Sequence, residues 1–566
     1  MNFLQVFKFF IKEIDLKTWF KVTINFIFHF SIIVSEILFF STFFIILNKK
    51  TDSDFVNKFF EKLEIYFFRF FETFSLTEIY IIMLIFFLLI KNILIISHNI
   101  YYNSFIFNLS VKKSSQILKS YMNKSFEDFQ KKEVSIYIKQ LVIDVENVFV
   151  GIFGLIVTFI SELIYVVVLI FFISNLVELN PTYEVYIAFS LMIFILYVLY
   201  IFAKKYGELR GSTEIIVFKT LNDTLNIFKE IKLFGNSKDF VNRYHKFLDK
   251  YFKTRIASGL IHLSPKFMFE FFLIIFFFII FKNESSELTI SEFVVKYSVF
   301  ALALLRLVPS FAKLSSYFSL ILYNLKSIDF IKDDLKKKIK PNLTKSLKNI
   351  KVNNIQLSNI CLNYLDKKKS KISSKFKDLN LNFKKNNIYG IYGESGSGKT
   401  SILNLVSGFI KPSKGQIYFN KKEYNFNDLT KRFNIGYSTQ TPTIIDENVI
   451  INVTLKYDND KIIIKKLKNY LKIFNLSKFL NNKYFENTSI SSIKNMSGGE
   501  KQRIGIIRAL IHNPDLILFD EPTSSLDKEN EKKVFEYLRS IKKNKIIIVT
   551  SHKLEQKKYF DKVINL

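Results

Sequence analysis

The sequence predicts a membrane α-helical domain, with six transmembrane helices that continue into long cytoplasmic extensions, fused to an α/β domain. Of the 566 residues, 49% are hydrophobic and 17% aromatic, and these residues concentrate in the first part of the chain. Apolar segments of about 20 residues are long enough to cross a bilayer as helices. Towards the C-terminus, short apolar runs instead alternate with segments of helical periodicity, which is typical of a parallel sheet.

Six segments are predicted to span the membrane. Between spans two and three, and between four and five, the chain is polar but keeps helical periodicity, so we expect the helices to continue into the cytoplasm there. An even number of spans puts both termini on that side. The net charge of +31 fits basic cytoplasmic segments better than nucleic-acid binding, so no nucleic-acid partner is expected. The spans are 22–47, 79–102, 148–173, 186–203, 261–281 and 293–322, and the extensions are 103–147 and 204–259.

Two other segments of the membrane domain (1–330) are predicted to lie at the membrane surface. Residues 1–20 read as an interfacial helix that contains Trp19. Residues 54–74 place ten apolar side chains, most of them aromatic, on one face, and this predicts an external amphipathic helix in the outer interface. The alternative is a helix packed on the spans. The Lys-rich segment 331–350 is predicted to be a linker to the domain 351–566.

The C-terminal domain contains a phosphate-binding motif. The stretch Gly393–Thr400 reads G-E-S-G-S-G-K-T and fits G-x-x-x-x-G-K-[ST] between a predicted strand and helix. Backbone N–H groups of such a loop bind phosphate oxygens, Lys399 would reach the β- and γ-phosphates, and the Thr400 hydroxyl would hold Mg²⁺. The sequence therefore predicts a nucleoside triphosphate site. Its residues are Gly393, Glu394, Ser395, Gly396, Ser397, Gly398, Lys399, Thr400 and Ser401.

Three later motifs add candidate chemical groups. Asp520 and Glu521 end a buried strand, where Asp520 suits Mg²⁺ and Glu521 suits polarising an attacking water. His552 ends a strand predicted for the same sheet, near a γ-phosphate. A Ser-Gly-Gly turn before a helix is a second candidate anion site; whether it meets the same nucleotide is left open by sequence distance. That turn comprises Ser497, Gly498, Gly499 and Glu500.

In this order, the motifs resemble the ATP-binding cassette superfamily, and the similarity covers the whole chain. Six spans before the cassette resemble a half-transporter of the exporter class. The resemblance implies ATP and Mg²⁺ as cofactors and an ATPase that drives transport. It also implies that Gln440 contributes to catalysis and to the metal site, that Tyr364 stacks on adenine, and that Asp527 belongs to the nucleotide site. Met496 and Glu500 stand where the family more often has Leu and Gln.

The same resemblance implies an assembly. A second copy of the chain, or a related half-transporter, would complete two ATP sites, each between one subunit's phosphate loop and the other's signature. The segments near 118–130 and 207–222 would carry the helices that couple the two domains.

Shorter sequence similarities, all in the membrane domain, indicate a class of substrate. Residues 229–235, 265–270 and 305–310 and the external helix resemble flippases of lipid-linked oligosaccharides, which implies a bacterial inner membrane and contacts with its lipids. Lys91, Lys266 and Arg306 lie in or beside spans, where cations would suit a pyrophosphate. The alternative pairs them internally with Glu36, Glu162 or Glu270.

Two other functions remain open. One is an exporter of peptides or of amphipathic drugs and lipids on the same scaffold. The other is a non-hydrolysing partner subunit or gated channel, against which the presence of both Glu521 and His552 argues.

Overall fold

The computed structural model describes residues 3–48, 75–174, 183–235, 237–284, 290–336, 351–366, 371–423, 433–458, 460–481, 485 and 496–566. Contacts divide the chain into two units, each described by itself. The first comprises Met1–Asn123 and Lys132–Ile339, and the second Lys124–Lys131 and Lys340–Leu566. The first unit is helical and the second is built on two sheets, which confirms the predicted fold class.

Long helices form the first unit, and each combines an apolar stretch with more polar turns. Each of the six predicted spans lies in such a helical stretch, the third across a π-helical segment. Within the described residues, three stretches are long and apolar enough to cross a bilayer: Leu16–Phe43, Thr77–Met122 and Val134–Phe171. The helices up to residue 336 are α1 (Phe3–Glu13), α2 (Leu16–Asn48), α3 (Leu76–Met122), α4 (Phe126–Gln130), α5 (Val134–Lys139), α6 (Val145–Val148), α7 (Leu155–Ser174), α8 (Tyr183–Asn226), α9 (Phe228–Phe234), α10 (Ser237–Glu284) and α11 (Ile290–Lys336), with π-helical Gln140–Asp144 and Phe149–Gly154 between α5, α6 and α7.

Some predicted boundaries differ from the structure. The predicted helix 1–20 breaks after Glu13, because the Asp15 carboxylate accepts a hydrogen bond from the Thr18 hydroxyl at the start of α2. Helix α11 continues to Lys336, past the predicted start of the linker, since Ile328 and Ile331 are fully buried. The rest of the linker and the external helix 54–74 lie outside the described residues.

Buried charges join the helical extensions of the first unit. The Lys139 ammonium lies 2.8 Å from Asp144 Oδ1 and 3.2 Å from Glu214 Oε2. Arg210 lies 3.9 Å from Glu214 Oε1 and donates a hydrogen bond to Asn324. Two cations thus match two carboxylates where water cannot screen them.

Two sheets form the second unit. One contains four strands in the order β2–β1–β4–β5, and the other is a parallel sheet in the order β6–β7–β8–β3–β9. Strands β7, β8 and β3 are neighbours in the parallel sheet, so their carboxyl ends meet at one edge. The strands are β1 (Asn354–Asp366), β2 (Lys371–Lys384), β3 (Asn387–Tyr392), β4 (Lys414–Phe419), β5 (Lys422–Glu423), β6 (Ile435–Ser438), β7 (Leu516–Asp520), β8 (Ile546–Ser551) and β9 (Lys562–Asn565).

Besides α4, five described α-helices accompany these strands in the second unit. They are α12 (Lys399–Val406), α13 (Val449–Thr454), α14 (Lys461–Ile473), α15 (Gly498–Leu510) and α16 (Lys528–Ile541). Buried aliphatic side chains of β7 and β8 pack against helices α13–α16 on one side of the parallel sheet, and against α12 and the first sheet on the other. The sheet edge that carries the predicted motifs is therefore rigidly held.

Candidate active site

The phosphate-binding motif forms a tight loop between β3 and α12. Gly396 and Gly398 have φ angles of 85° and 110°, which favour glycine, and a Cβ on Gly398 would lie 2.3 Å from the Phe376 ring. The Lys399 ammonium donates hydrogen bonds to the carbonyl oxygens of Gly393 (2.8 Å) and Glu394 (3.1 Å). The loop thus holds its lysine over its own backbone, at the N-terminus of a helix.

Oxygen ligands suited to a magnesium ion meet beside this loop. The Thr400 hydroxyl donates a 2.8 Å hydrogen bond to Asp520 Oδ2, across 120 residues of sequence. A hydroxyl and a carboxylate are hard oxygen donors of the kind that Mg²⁺ prefers, so these two residues fit the ion. Bound there with ATP, the ion would neutralise phosphate charge.

Glu521 lies at the centre of the predicted catalytic groups. Its Oε2 accepts a 2.9 Å hydrogen bond from Gln440 Nε2 and lies 3.3 Å from His552 Nδ1. Its Oε1 lies 3.9 Å from the Lys399 ammonium. The structure therefore brings together four residues from four separate motifs, around a carboxylate that can orient a water molecule.

The signature turn begins helix α15. Ser497 and Glu500 form a capping box: the Ser497 N–H donates to Glu500 Oε2 (2.9 Å), and the Glu500 N–H donates to Ser497 Oγ (3.3 Å). Partial burial alone would raise the pKa of Glu500, but hydrogen bonds from Lys478 and Ser497 together lower it. The residue that departs from the family pattern therefore stabilises the start of the helix as a carboxylate.

Gln502 connects these motifs and was not predicted. Its buried amide donates hydrogen bonds to the Gln440 carbonyl (3.2 Å) and the Ser524 hydroxyl (2.6 Å), and accepts one from the Ser525 N–H (2.9 Å). The signal in the sequence is a polar residue on the face of α15 that otherwise buries Ile506 and its neighbours. It links the signature helix to the segments on either side of the nucleotide site.

Two residues assigned through the family resemblance are not among the described groups that contact Glu521. Asp527 caps helix α16 by accepting a 2.7 Å hydrogen bond from the Asn530 N–H, and this bond lowers the pKa of its carboxyl. Tyr364 lies in strand β1, and its side chain is outside the described residues. Their contacts with a nucleotide stay predictions.

The three candidate substrate cations differ in their surroundings. Lys91 forms a buried ion pair with Glu36 at 3.1 Å, which is the internal pairing that the sequence left open. Lys266 is half-exposed and lies 4.0 Å from Glu270. Arg306 lies in α11, and its side chain is outside the described residues. The remaining predicted partner, Glu162, lies 3.4 Å from Lys313 instead.

The predicted coupling segments also differ from each other. Residues 118–130 contain the short helix α4, whose Phe126 ring lies 5.3 Å from Phe409 and whose Glu127 accepts a 3.0 Å hydrogen bond from the Lys411 N–H, all within the second unit. Residues 207–222 lie inside the long helix α8 rather than in a separate short helix. Helix α8 ends at Asn226, and the short helix α9 that follows ends at Gly235, whose φ of 73° is left-handed.

Two family profiles match the chain. The ABC transporter transmembrane region matches residues 19–308, and the ABC transporter domain matches residues 376–524. Together they cover most of the helical unit and, in the second unit, the phosphate loop, the signature and Asp520–Glu521.

Several known proteins are similar to parts of the chain. A probable ABC transporter ATP-binding/permease protein of Haemophilus influenzae is 38% identical over 194 residues, which are 33% of this chain and 34% of that protein. The phosphonates import ATP-binding protein PhnC of Fusobacterium nucleatum is 36% identical over 38% of this chain and 88% of its own length. The alpha-hemolysin translocation ATP-binding protein HlyB of Escherichia coli is 30% identical over 33% of this chain and 27% of its own length.

A solved structure is similar over nearly the whole chain. A bacterial Atm1-family ABC exporter with ATP bound superposes with a TM-score of 0.74 at 15% identity, covering 97% of this chain and 93% of that one. That likeness supports the fold, and the family profiles match both parts of it. The chain therefore belongs to the ABC transporter family, with a membrane domain fused to an ATP-binding domain.

Proposed function

We propose that this protein is an exporter-type transporter that uses ATP hydrolysis to move its substrate across a membrane. The observation that carries the proposal is the convergence of Gln440, His552 and Lys399 on Glu521, beside the Thr400–Asp520 pair. Glu521 would orient the water that attacks the γ-phosphate, and Lys399 and the metal would stabilise the charge of the transferring group. Its cofactors are then ATP and Mg²⁺.

The working assembly is two chains, with a second copy or a related half-transporter as partner. Ser395 in the phosphate loop and Ser497 in the signature are both exposed in the single chain. A helix N-terminus with exposed N–H groups attracts phosphate, so the signature of one chain suits the nucleotide held by the other. The resemblance to the exporter fold supports the same arrangement.

For the substrate, we propose a lipid-linked oligosaccharide or related polyprenyl-pyrophosphate glycolipid, flipped across a bacterial inner membrane. The three short sequence similarities support this class, and so does an apolar cleft of about 280 Å³ that could accept part of a lipid chain. The cleft lies between α2 and α7 and is lined by Phe26, Ile27, His29, Phe30, Ile33, Ser161 and Ile164.

A pyrophosphate in a membrane cavity needs cations to offset its desolvation. Because Lys91 is already neutralised by Glu36, Lys266 and above all Arg306 are the better candidates. A guanidinium binds phosphate oxygens in pairs and keeps its charge when buried. Arg306 is therefore the residue on which the substrate proposal depends most.

Reconstitution of the protein in liposomes tests this proposal. Arg306→Gln should reduce ATP-dependent flipping of a pyrophosphate-linked lipid by about tenfold or more, the scale of a lost charge-assisted hydrogen bond. Arg306→Lys should keep part of the activity, since a point charge replaces a paired contact. Lys326→Gln is the control, because Lys326 is a half-exposed cation of the same helix that pairs with Asp329.

The second candidate is export of a peptide, protein or amphipathic drug. The similarity to the alpha-hemolysin translocation protein favours it. An uncharged amphipathic substrate should be indifferent to Arg306→Gln. If this variant flips the pyrophosphate lipid as fast as the parent while hydrolysing ATP, the flippase proposal is wrong and this second candidate replaces it.

A further inference from the structure

We propose that Thr550 is a positioning residue for both carboxylates of the ATPase site, and that its hydroxyl sets the affinity of the metal site. This inference rests on the proposed ATP hydrolysis and adds a residue that none of the sequence motifs contains. Thr550 is fully buried in strand β8, directly beside Asp520 in the register of the parallel sheet.

One hydroxyl serves two neighbouring groups. Thr550 Oγ1 donates a 2.8 Å hydrogen bond to Asp520 Oδ1 and accepts a 3.0 Å hydrogen bond from the Glu521 N–H. Because the other oxygen of Asp520 is bonded to Thr400, the carboxylate is held from both ends. Its plane is thereby fixed before any ligand arrives.

The bond to the Glu521 N–H fixes an unusual backbone. Glu521 has a φ of 45°, in the left-handed region that non-glycine residues rarely occupy. A hydrogen bond to its N–H at this point favours that conformation over an extended one. The conformation in turn directs the Glu521 side chain towards Gln440 and His552.

Packing alone gives no reason for a hydroxyl here. The preceding residues of β8 are Ile546, Ile547, Ile548 and Val549, all fully buried. A valine would fill nearly the same volume as Thr550 but would leave Asp520 Oδ1 and the Glu521 N–H without this partner. The choice of threonine therefore concerns the two polar groups. Partners of this kind, one step outside the metal ligands, commonly change metal affinity by about 10–100-fold.

The test compares three variants of the full-length protein in detergent or nanodiscs. Thr550→Val removes the hydroxyl, whereas Thr550→Ser keeps a hydroxyl at the same position and removes only the methyl group. Thr454→Val is the matched control, because the buried Thr454 hydroxyl also donates to one group (the Ile450 carbonyl, 2.8 Å) and accepts from another (the Lys456 N–H, 3.2 Å), outside the site. Thermal unfolding of each variant confirms that it is folded.

Two measurements separate positioning from general stability. The first is the affinity of Mn²⁺ for the protein loaded with a non-hydrolysable ATP analogue, followed by electron paramagnetic resonance. The second is the steady-state rate of ATP hydrolysis as a function of Mg²⁺ concentration, which gives both kcat and the Mg²⁺ concentration for the half-maximal rate. Thr550→Val should weaken Mn²⁺ binding, and raise the Mg²⁺ concentration for the half-maximal rate, by about tenfold or more. It should also lower kcat. Binding of the ATP analogue in the presence of EDTA, where no metal takes part, should stay unchanged. Thr550→Ser should restore most of each value.

Three outcomes would overturn the inference. They are a Thr550→Val variant with parental Mn²⁺ affinity, a Thr454→Val variant with an equal loss, and a Thr550→Ser variant that restores nothing. A parent protein that binds Mn²⁺ and nucleotide but never hydrolyses ATP would instead contradict the proposed function. The Mn²⁺ comparison would still decide the role of Thr550 in that case.

Discussion

The chemistry of the site depends on how one carboxylate, Glu521, is surrounded. Gln440 and His552 reach the same oxygen of Glu521, and Lys399 approaches the other. A carboxylate held in this way can accept a proton from, or orient, a water molecule placed between it and a phosphate. Asp520 is separately engaged by two hydroxyl groups, so the two carboxylates have different surroundings.

Exchanging Glu521 for glutamine tests its role. Glu521→Gln keeps the size and much of the hydrogen bonding but removes the base, so ATP binding should persist while kcat falls about 100-fold or more. Nucleotide binding and phosphate release are measured on the same preparation. The matched control is Glu529→Gln, an exposed carboxylate that pairs only locally with Lys533.

A parental rate of hydrolysis in Glu521→Gln would remove this residue from the mechanism. An equal loss of nucleotide binding would instead point to damage of the phosphate loop. The control variant should behave as the parent in both measurements, since its carboxylate lies on the surface of α16.

At this scale, the sequence predicted residues that belong to contiguous motifs. Lys399, Thr400, Asp520 and Glu521 are local patterns whose chemistry requires those residue types. Gln502 and Thr550 could not be found in this way. Their partners lie 62 and 30 residues away in the sequence, and a buried amide or hydroxyl has no spacing that identifies it.

Among the helices of the first unit, the buried ion cluster around Lys139 is expected to affect the stability of the fold most directly. Lys139 is the cation shared by Asp144 and Glu214, and it is almost completely buried. Such a group is costly to desolvate, and removing it leaves two carboxylates without their main partner. The cluster lies where α5 passes into a π-helical segment, which places Asp144 on the same side as Lys139.

Removing this cation should destabilise the protein strongly. We expect Lys139→Met to lower the free energy of unfolding by about 3–5 kcal/mol, the range for breaking a buried pair from one side. Unfolding in detergent micelles, by heat or denaturant, measures the change. The control is Lys219→Met, which breaks an exposed 2.7 Å pair with Glu133 and should cost less than about 1 kcal/mol.

A double variant makes this prediction more specific. Lys139→Met combined with Asp144→Leu removes one whole ion pair and leaves Glu214 near Arg210. It should be more stable than Lys139→Met alone, because one uncompensated buried charge has gone. A single variant as stable as the parent would show that the cluster contributes nothing.

Apolar periodicity predicted the positions of the helices but not their interruptions. The six spans and the α/β alternation follow from patterns that repeat over many residues. The break at Asp15, the two π-helical segments and the end of α9 at Gly235 depend on a single hydrogen bond, on inserted residues and on one glycine. Helix α11 also continues beyond the end of its apolar stretch, because tertiary contacts bury Ile328 and Ile331.

For the whole molecule, the proposed assembly divides the nucleotide site between the phosphate loop and the signature, whose residues Ser395 and Ser497 are both exposed in a single chain. In the described structure, Ser497 and Glu500 bond to each other, and Glu500 also pairs with Lys478. The N-terminus of α15 is therefore formed in the single chain, with Ser497 and Gly498 exposed. A second chain that presents its phosphate loop would cover both exposed elements at once.

Engineered cysteines test this assembly directly. Cys361 is the single cysteine of the chain, so Cys361→Ser gives a clean background for Ser395→Cys and Ser497→Cys. With ATP bound and hydrolysis blocked by Glu521→Gln, a short crosslinker should join two chains, seen as a dimer in a denaturing gel. Either cysteine alone should give far less dimer, because the two residues are expected to face each other across the interface. Mixing differently tagged chains would show that the link joins separate copies, whereas a crosslink confined to one chain would rule out the two-chain nucleotide site.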